Sequence, residues 1–156
     1  MFRKSAVPLL GLLVVSWVLP LCCAAGEFNE VLSIGDKAPV WKDLPGTDGK
    51  KHSLADLQDK PVVVVIFTCA SCPTAVDYEG RIEALVTKHG GTDDKVAVVP
   101  VCVNRVTADE LPALTKRVAD KGFHFHYLYD ESQKIAKDFG AIFTPEFYVF
   151  DQSRLI

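Results

Sequence analysis

Pro61-Val62-Val63-Val64-Val65-Ile66-Phe67-Thr68-Cys69-Ala70-Ser71-Cys72-Pro73 decides the architecture of this chain. Val62 to Phe67 are all apolar and mostly β-branched, which suits a strand covered on both faces, as in a parallel or mixed sheet flanked by helices. The residues that follow predict a helix over Pro73–Lys88. Pro73 fits a first helical turn, where its missing N–H is not needed, and Ala75, Ile82, Leu85 and Val86 make an apolar stripe. The two cysteines lie where strand gives way to helix. A helix N-terminus presents unpaired N–H groups and the positive end of the helix dipole, both of which stabilise a thiolate. In this reading Cys69 is the exposed, acidic thiol that attacks a partner disulfide. Cys72, one turn inward, then attacks the mixed disulfide and releases the reduced partner. An oxidase runs the same steps in reverse. Val62–Phe67 holds no acid or base, so proton transfer at Cys72 has to use water or a helix acid, Asp77 or Glu79.

Working outward, Gly90-Gly91 ends the helix and Val96–Val103 is a second buried strand, bulged or near an edge because of Pro100. Thr107-Ala108-Asp109-Glu110 reads as a capping box opening a helix to about Asp120, closed by Gly122. His124–Tyr129 alternates as a short strand would, Asp130-Glu131-Ser132-Gln133 caps a helix ending near Gly140, and Phe147–Phe150 is a final aromatic strand. Upstream, Ala38–Leu44 reads as a short strand anchored by Trp41, Gly46–Gly49 as a turn, and Ser53 as the cap of a brief helical turn. Strands alternating with helices define an α/β sandwich around a central sheet, in one domain over residues 26–156.

Residues 1–25 are different in kind. Arg3 and Lys4 precede an apolar stretch from Ala6 to Leu21, and Cys23-Ala24-Ala25 offers small residues for cleavage, the three-part anatomy of a secretory signal. A membrane anchor is the rival reading, though Pro8, Gly11 and Pro20 interrupt the stretch. A lipid-modified Cys22 or Cys23 is a third, which Leu21 fits poorly. All three put the domain outside the cytoplasm, in a periplasmic or other extracytoplasmic space, and cleavage would leave no stable membrane insertion. The remaining chain carries 15 basic against 20 acidic residues, a net charge of −5, which argues against an electrostatic nucleic-acid binder. It keeps Cys69, Cys72 and Cys102: one pair and one spare, the arithmetic of a redox site and not of a disulfide scaffold. Cys102, on a buried strand, reads as a small core residue, and a resolving role would need it exposed.

Metal readings compete for the CxxC. Zinc needs four ligands and there is no second CxxC, so Cys102 and a histidine would have to complete the set. Haem attachment needs His where Pro73 stands. Cu(I) would accept Cys69 and Cys72 with a histidine, and His124 and His126 would share one face of a strand, although ordinary strand histidines are the better reading. His52 and His89 read as exposed, and no metal ligand or cofactor is assigned.

With the CxxC and Gly140-Ala141-Ile142-Phe143-Thr144-Pro145 both in view, the chain resembles the thioredoxin-like superfamily. Gly35-Asp36-Lys37-Ala38-Pro39, Asp48-Gly49-Lys50, Ser53-Leu54 and Lys60-Pro61-Val62 look like the N-terminal part of exported redoxins, the group that holds TlpA-type oxidoreductases and AhpC/TSA-type peroxiredoxins. Phe67 through Pro73, Tyr78-Glu79, Arg81-Ile82, Lys121-Gly122-Phe123 and Tyr127 through Glu131 extend the match. The resemblance implies a thioredoxin-like fold with a mixed sheet flanked by helices. It also implies a cis-proline at Pro145 facing the CxxC, and a partner groove bordered by Phe143 and Thr144 with Ala70 and Ser71 between the cysteines. The partners it implies are protein thiols and disulfides, with a membrane or periplasmic electron donor.

Departures from the family separate its branches. Peroxiredoxins carry a threonine three residues before the peroxidatic cysteine, whereas Thr68 stands four before Cys72 and one before Cys69. Pro145 occupies the position of their peroxide-polarising arginine, and Arg154 lies beyond the strand. Disulfide exchange is therefore favoured over a peroxidase with antioxidant activity. Thioredoxins place a buried aspartate in the strand before the CxxC, where this chain has Val63. Thioredoxin-like domains also continue with another strand and a terminal helix, so the chain is expected to be marginally stable or C-terminally incomplete, or to associate through the open edge of its last strand.

Overall fold

A computed structural model describes residues 29–89 and 95–156. The signal reading of residues 1–25 and the helix end at Gly90-Gly91 lie outside the described residues. The central sheet has four strands in the order β5-β4-β3-β6: β3 (Val62–Phe67), β4 (Val96–Cys102), β5 (Leu128–Tyr129) and β6 (Glu146–Phe150). β3 pairs in parallel with β4 and antiparallel with β6, and β4 pairs in parallel with β5, so the sheet is mixed. A small hairpin, β1 (Leu44–Pro45) with β2 (Lys51–His52), touches β5 through a bridge between Gly46 and Leu128. The helices are α1 (Pro73–His89), α2 (Leu111–Lys121) and α3 (Lys134–Phe139).

β3 explains why the valine run matters. Val63, Val65 and Phe67 face one core, with Trp41, Leu54, Ile135, Phe139, Tyr148 and Phe150. Val64, Ile66 and then Cys69 face a second, with Ala75, Ile82, Leu114, Phe125 and Tyr127. Each valine, isoleucine, leucine or phenylalanine among them contributes about 1.5–3 kcal/mol on full burial, and because both faces are used the strand needs no polar alternation.

Pro100 causes no bulge. It stays in register opposite Ile66, and β5 reaches only Val101 and Cys102 on the other side, so the missing N–H falls where β4 has no second neighbour. The chain around Trp41 is not the predicted strand: only Leu44–Pro45 is extended and paired, although Trp41 itself is core. The strand predicted over His124–Tyr129 is likewise cut to Leu128–Tyr129. Asp130 does cap α3, accepting the Ile135 N–H at 2.9 Å, while Ser132 accepts that of Lys134.

The predicted capping box at Thr107 is absent. Thr107–Asp109 forms a 3₁₀ turn and α2 begins two residues later at Leu111, with Pro112 in its first turn and Gly122 (φ 65°) at its end. Asp109 turns inward and has no exposed surface.

Candidate active site

The loop from Thr68 to Cys72 joins β3 to α1, and the Val76 N–H bonds the Cys72 carbonyl as the first turn of the helix. This connection sets the two thiols apart. The chain breaks the alternation of β3 after Phe67, so Cys69 turns into the core of Val64 and Ile66 and is fully buried. Cys72 stands at the N-terminus of α1 and is half-buried. The exposures run opposite to the expectation from sequence: the accessible thiol is Cys72. The free N–H of Ala75 holds its thiol below the usual thiol range, with Thr144 and the N–H of Thr74 adding to the effect.

Thr144 stands between the cysteines. Its Oγ1 is 3.4 Å from Cys69 Sγ, and Cys72 S–H points to its carbonyl at 3.6 Å. The Thr144–Pro145 peptide bond is cis. Glu146 holds this loop from behind, its Oε2 accepting the N–H groups of Ile142 and Phe143 at 3.0 and 3.2 Å. Ile142 and Phe143 are 76% and 72% exposed, so the rim beside the thiols is apolar and open.

Ala70 and Ser71 direct their N–H groups inward, to Asp109 Oδ1 at 2.7 and 2.9 Å. Asp109 Oδ2 accepts the Ser71 hydroxyl at 2.5 Å and the Asn104 amide at 2.9 Å. A buried carboxylate with four donors fixes the loop. Sequence reasoning missed Asp109 because it assigned the residue to a capping box. Pro112 was the available signal, since proline favours the first turn and places the helix start after Asp109.

The other candidates take different positions. Asp77 is exposed. Glu79 is buried, but it receives the Arg117 guanidinium at 2.5 and 2.7 Å and the Tyr127 hydroxyl at 3.1 Å, two helical turns from Cys72. Neither is placed to exchange a proton there. Cys102 is fully buried, and burial above all pushes its thiol up to about 12, so it stays neutral. Arg154 bonds the carbonyls of Leu57, Lys60 and Asp151, at the end of β3 opposite the cysteines. His124 pairs with Glu83 on an exposed surface, and among the described residues no three His, Cys, Asp or Glu side chains are grouped to hold a metal ion. No described helix is long and apolar enough to cross a membrane.

A four-stranded mixed sheet between helices, with a CxxC at a helix N-terminus facing a cis-proline loop, defines a protein of thioredoxin-like fold. Residues 33–156 match the redoxin family model, and the chain belongs to that family. A hypothetical protein from Sinorhizobium meliloti 1021 is similar at 28% identity and TM-score 0.74, over 81% of this chain and 69% of that one. An uncharacterized conserved protein from Geobacillus kaustophilus is similar at 27% and 0.75, over 81% and 68%. A thiol:disulfide interchange protein of the thioredoxin family from Chlorobium tepidum shares the fold at 19% identity and TM-score 0.65, over 80% and 84%. No curated protein matches the chain.

Proposed function

We propose that this redoxin is a thiol–disulfide oxidoreductase that exchanges disulfides with protein partners, with Cys72 as the attacking thiol and Cys69 as the resolving one. The observation that carries the reading is the asymmetry of the pair: an accessible thiol held acidic by helix N–H groups, beside a buried thiol on the same loop. The Cys72 thiolate attacks one sulfur of the partner disulfide, forming a mixed disulfide and releasing the partner's second thiolate. Cys69 then displaces the partner from Cys72 and closes the CxxC disulfide. The apolar rim at Ile142 and Phe143 favours exposed, unfolded segments of the partner.

Trapping tests the assignment. Cys69→Ser is expected to accumulate a mixed disulfide with a disulfide-bonded protein, seen as added mass that a reductant removes, and Cys72→Ser is expected to accumulate none. An adduct in Cys72→Ser alone would return the attacking role to Cys69. Adducts in neither variant would end the exchange reading. Glutathione equilibration of the pair gives the direction of electron flow: a potential near thioredoxin's about −270 mV marks a reductant, one near about −120 mV an oxidant. The positive n-region, apolar core and small residues of 1–25 support export of the chain to an extracytoplasmic space, where a membrane or periplasmic donor would reset the pair. Sequencing the N-terminus of the exported protein tests the cleavage.

A further inference from the structure

The exchange reading leaves one proton without a destination. Cys69 is fully buried, so its proton has no direct path to water and needs an acceptor nearby. β3 offers none, Glu79 is engaged by Arg117, and the Thr144 hydroxyl, nearer at 3.4 Å, has no carboxylate bonded to it among the described residues. The turn after β4 supplies Asp109, whose Oδ2 lies 2.5 Å from Ser71 Oγ. Ser71 Oγ in turn lies 3.9 Å from Cys69 Sγ. The hydroxyl has one proton, and the carboxylate is the stronger acceptor. The hydroxyl can donate to Cys69 Sγ or to Asp109, and the much shorter contact holds its proton on the carboxylate, which frees a Ser71 lone pair for the Cys69 thiol.

We infer that Asp109, acting through the Ser71 hydroxyl, takes up the Cys69 proton as Cys69 resolves the mixed disulfide. This rests on the exchange reading. The Cys69 proton passes to Ser71 Oγ while the Ser71 proton passes to Asp109 Oδ2. The Cys69 electron pair forms the bond to Cys72 Sγ, the bond from Cys72 to the partner sulfur breaks, and the partner leaves as a thiolate. The CxxC is oxidised by two electrons and the partner reduced by two. Asp109 then returns its proton to water.

The reason is charge. A Cys69 thiolate beside an ionised Asp109 would put two negative charges into one buried cluster. Moving the proton between them keeps one. The other groups around Asp109 do not compete for the proton. Cys102, from β4, stays a neutral thiol and donates to the Asp109 carbonyl at 3.6 Å. Cys72 is in the mixed disulfide, Glu110 is exposed, and Arg105 bonds the Glu131 carbonyl. Asp109 is thus a positioning residue, acting on sulfur through Ser71.

The test follows the two steps separately. The reduced full chain is mixed with an aromatic disulfide that releases a coloured thiolate. Attack by Cys72 gives a first release that scales with reagent concentration, and attack by Cys69 gives a second that does not. In Ser71→Ala the second rate is expected to fall about tenfold or more relative to the first, within the usual range for a lost acid–base group. Its pH profile should move to higher pH, as solvent replaces the relay. Ser71→Thr, which keeps the hydroxyl, should restore both. Asp109→Asn should follow Ser71→Ala if it folds by circular dichroism. If it does not fold, Ser71→Ala decides, because Ser71 is an exposed position. An unchanged ratio and pH profile in Ser71→Ala overturns the inference and leaves the exchange reading standing. Absence of the first release in the unmodified chain overturns the exchange reading and the inference with it.

Discussion

Cys72 owes its character to the place where α1 begins. The same chemical group three residues earlier, at Cys69, is closed off by the core. Alkylation of Cys72 is expected to follow a pH profile with its midpoint below the ordinary thiol value of about 8.5. In denaturant the midpoint should return to that value, because the Ala75 N–H no longer faces the sulfur. The sign for stability follows: the folded state favours the thiolate, so this contribution is present above the unfolded value and lost as pH falls through the lowered one. Cys102 is the contrast. Its thiol, pushed up to about 12 by burial, is expected to stay unmodified in the native chain and to react only on unfolding, which mass measurement with and without urea would detect.

α1 is tied to α2 by chemistry that its apolar stripe does not reveal. Ala75 and Ile82 are buried as the pattern predicts, but Glu79 lies between them on the same face, 4% exposed. Its carboxylate is gripped by Arg117 of α2 and by Tyr127 before β5. Arg117→Ala leaves that carboxylate buried without a countercharge. The expected cost is toward the low end of about 3–5 kcal/mol, since Arg117 keeps 23% of its side chain exposed. Urea unfolding of the variant measures it. Gly140, which closes α3 at φ 68°, is a second such point. A Cβ there would press on Asn29 and Val31, so Gly140→Ala is expected to lose stability through both the strained backbone and the clash.

Across the whole molecule, β3 divides two cores, and partly exposed ion pairs lie outside them, one within the β1–β2 hairpin and one between α1 and the segment before β5. Asp48 pairs with His52 at 3.0 Å, and Glu83 with His124. Burial is the largest influence and opposes ionisation at both carboxyls, yet the histidine contacts together with the Lys50 N–H at Asp48 and the His124 N–H at Glu83 outweigh it and hold both below the usual carboxylate range. A lowered carboxyl stabilises the fold above its unfolded pKa and ceases to do so as pH falls through its folded value. Stability is therefore expected to fall on acidification below the ordinary carboxylate range, about pH 4. Asp48→Asn with Glu83→Gln should flatten that fall and cost little at neutral pH, where such surface pairs are worth about 0–1 kcal/mol each. Thermal unfolding across pH checks it. β6 has β3 on one side and, among the described residues, no strand on the other, and Phe147 and Val149 face outward from it.

The strand–CxxC–helix unit could be read from residues 62–89 because its information is local: a doubly covered strand needs unbroken apolar residues, and a proline after the second cysteine marks a helix start. The Thr144-Pro145 loop was legible only through resemblance, since nothing in its own composition says that it faces Cys69 across 75 residues. Which cysteine is buried was not legible, because the chain leaves the alternation of β3 after Phe67 and that break turns Cys69 into the core of Val64 and Ile66. Asp109 was hidden for the same reason. A carboxylate in a turn looks alike whether it caps its own helix or reaches across to another loop, and only packing β4 beside β3 brought it under Ala70 and Ser71.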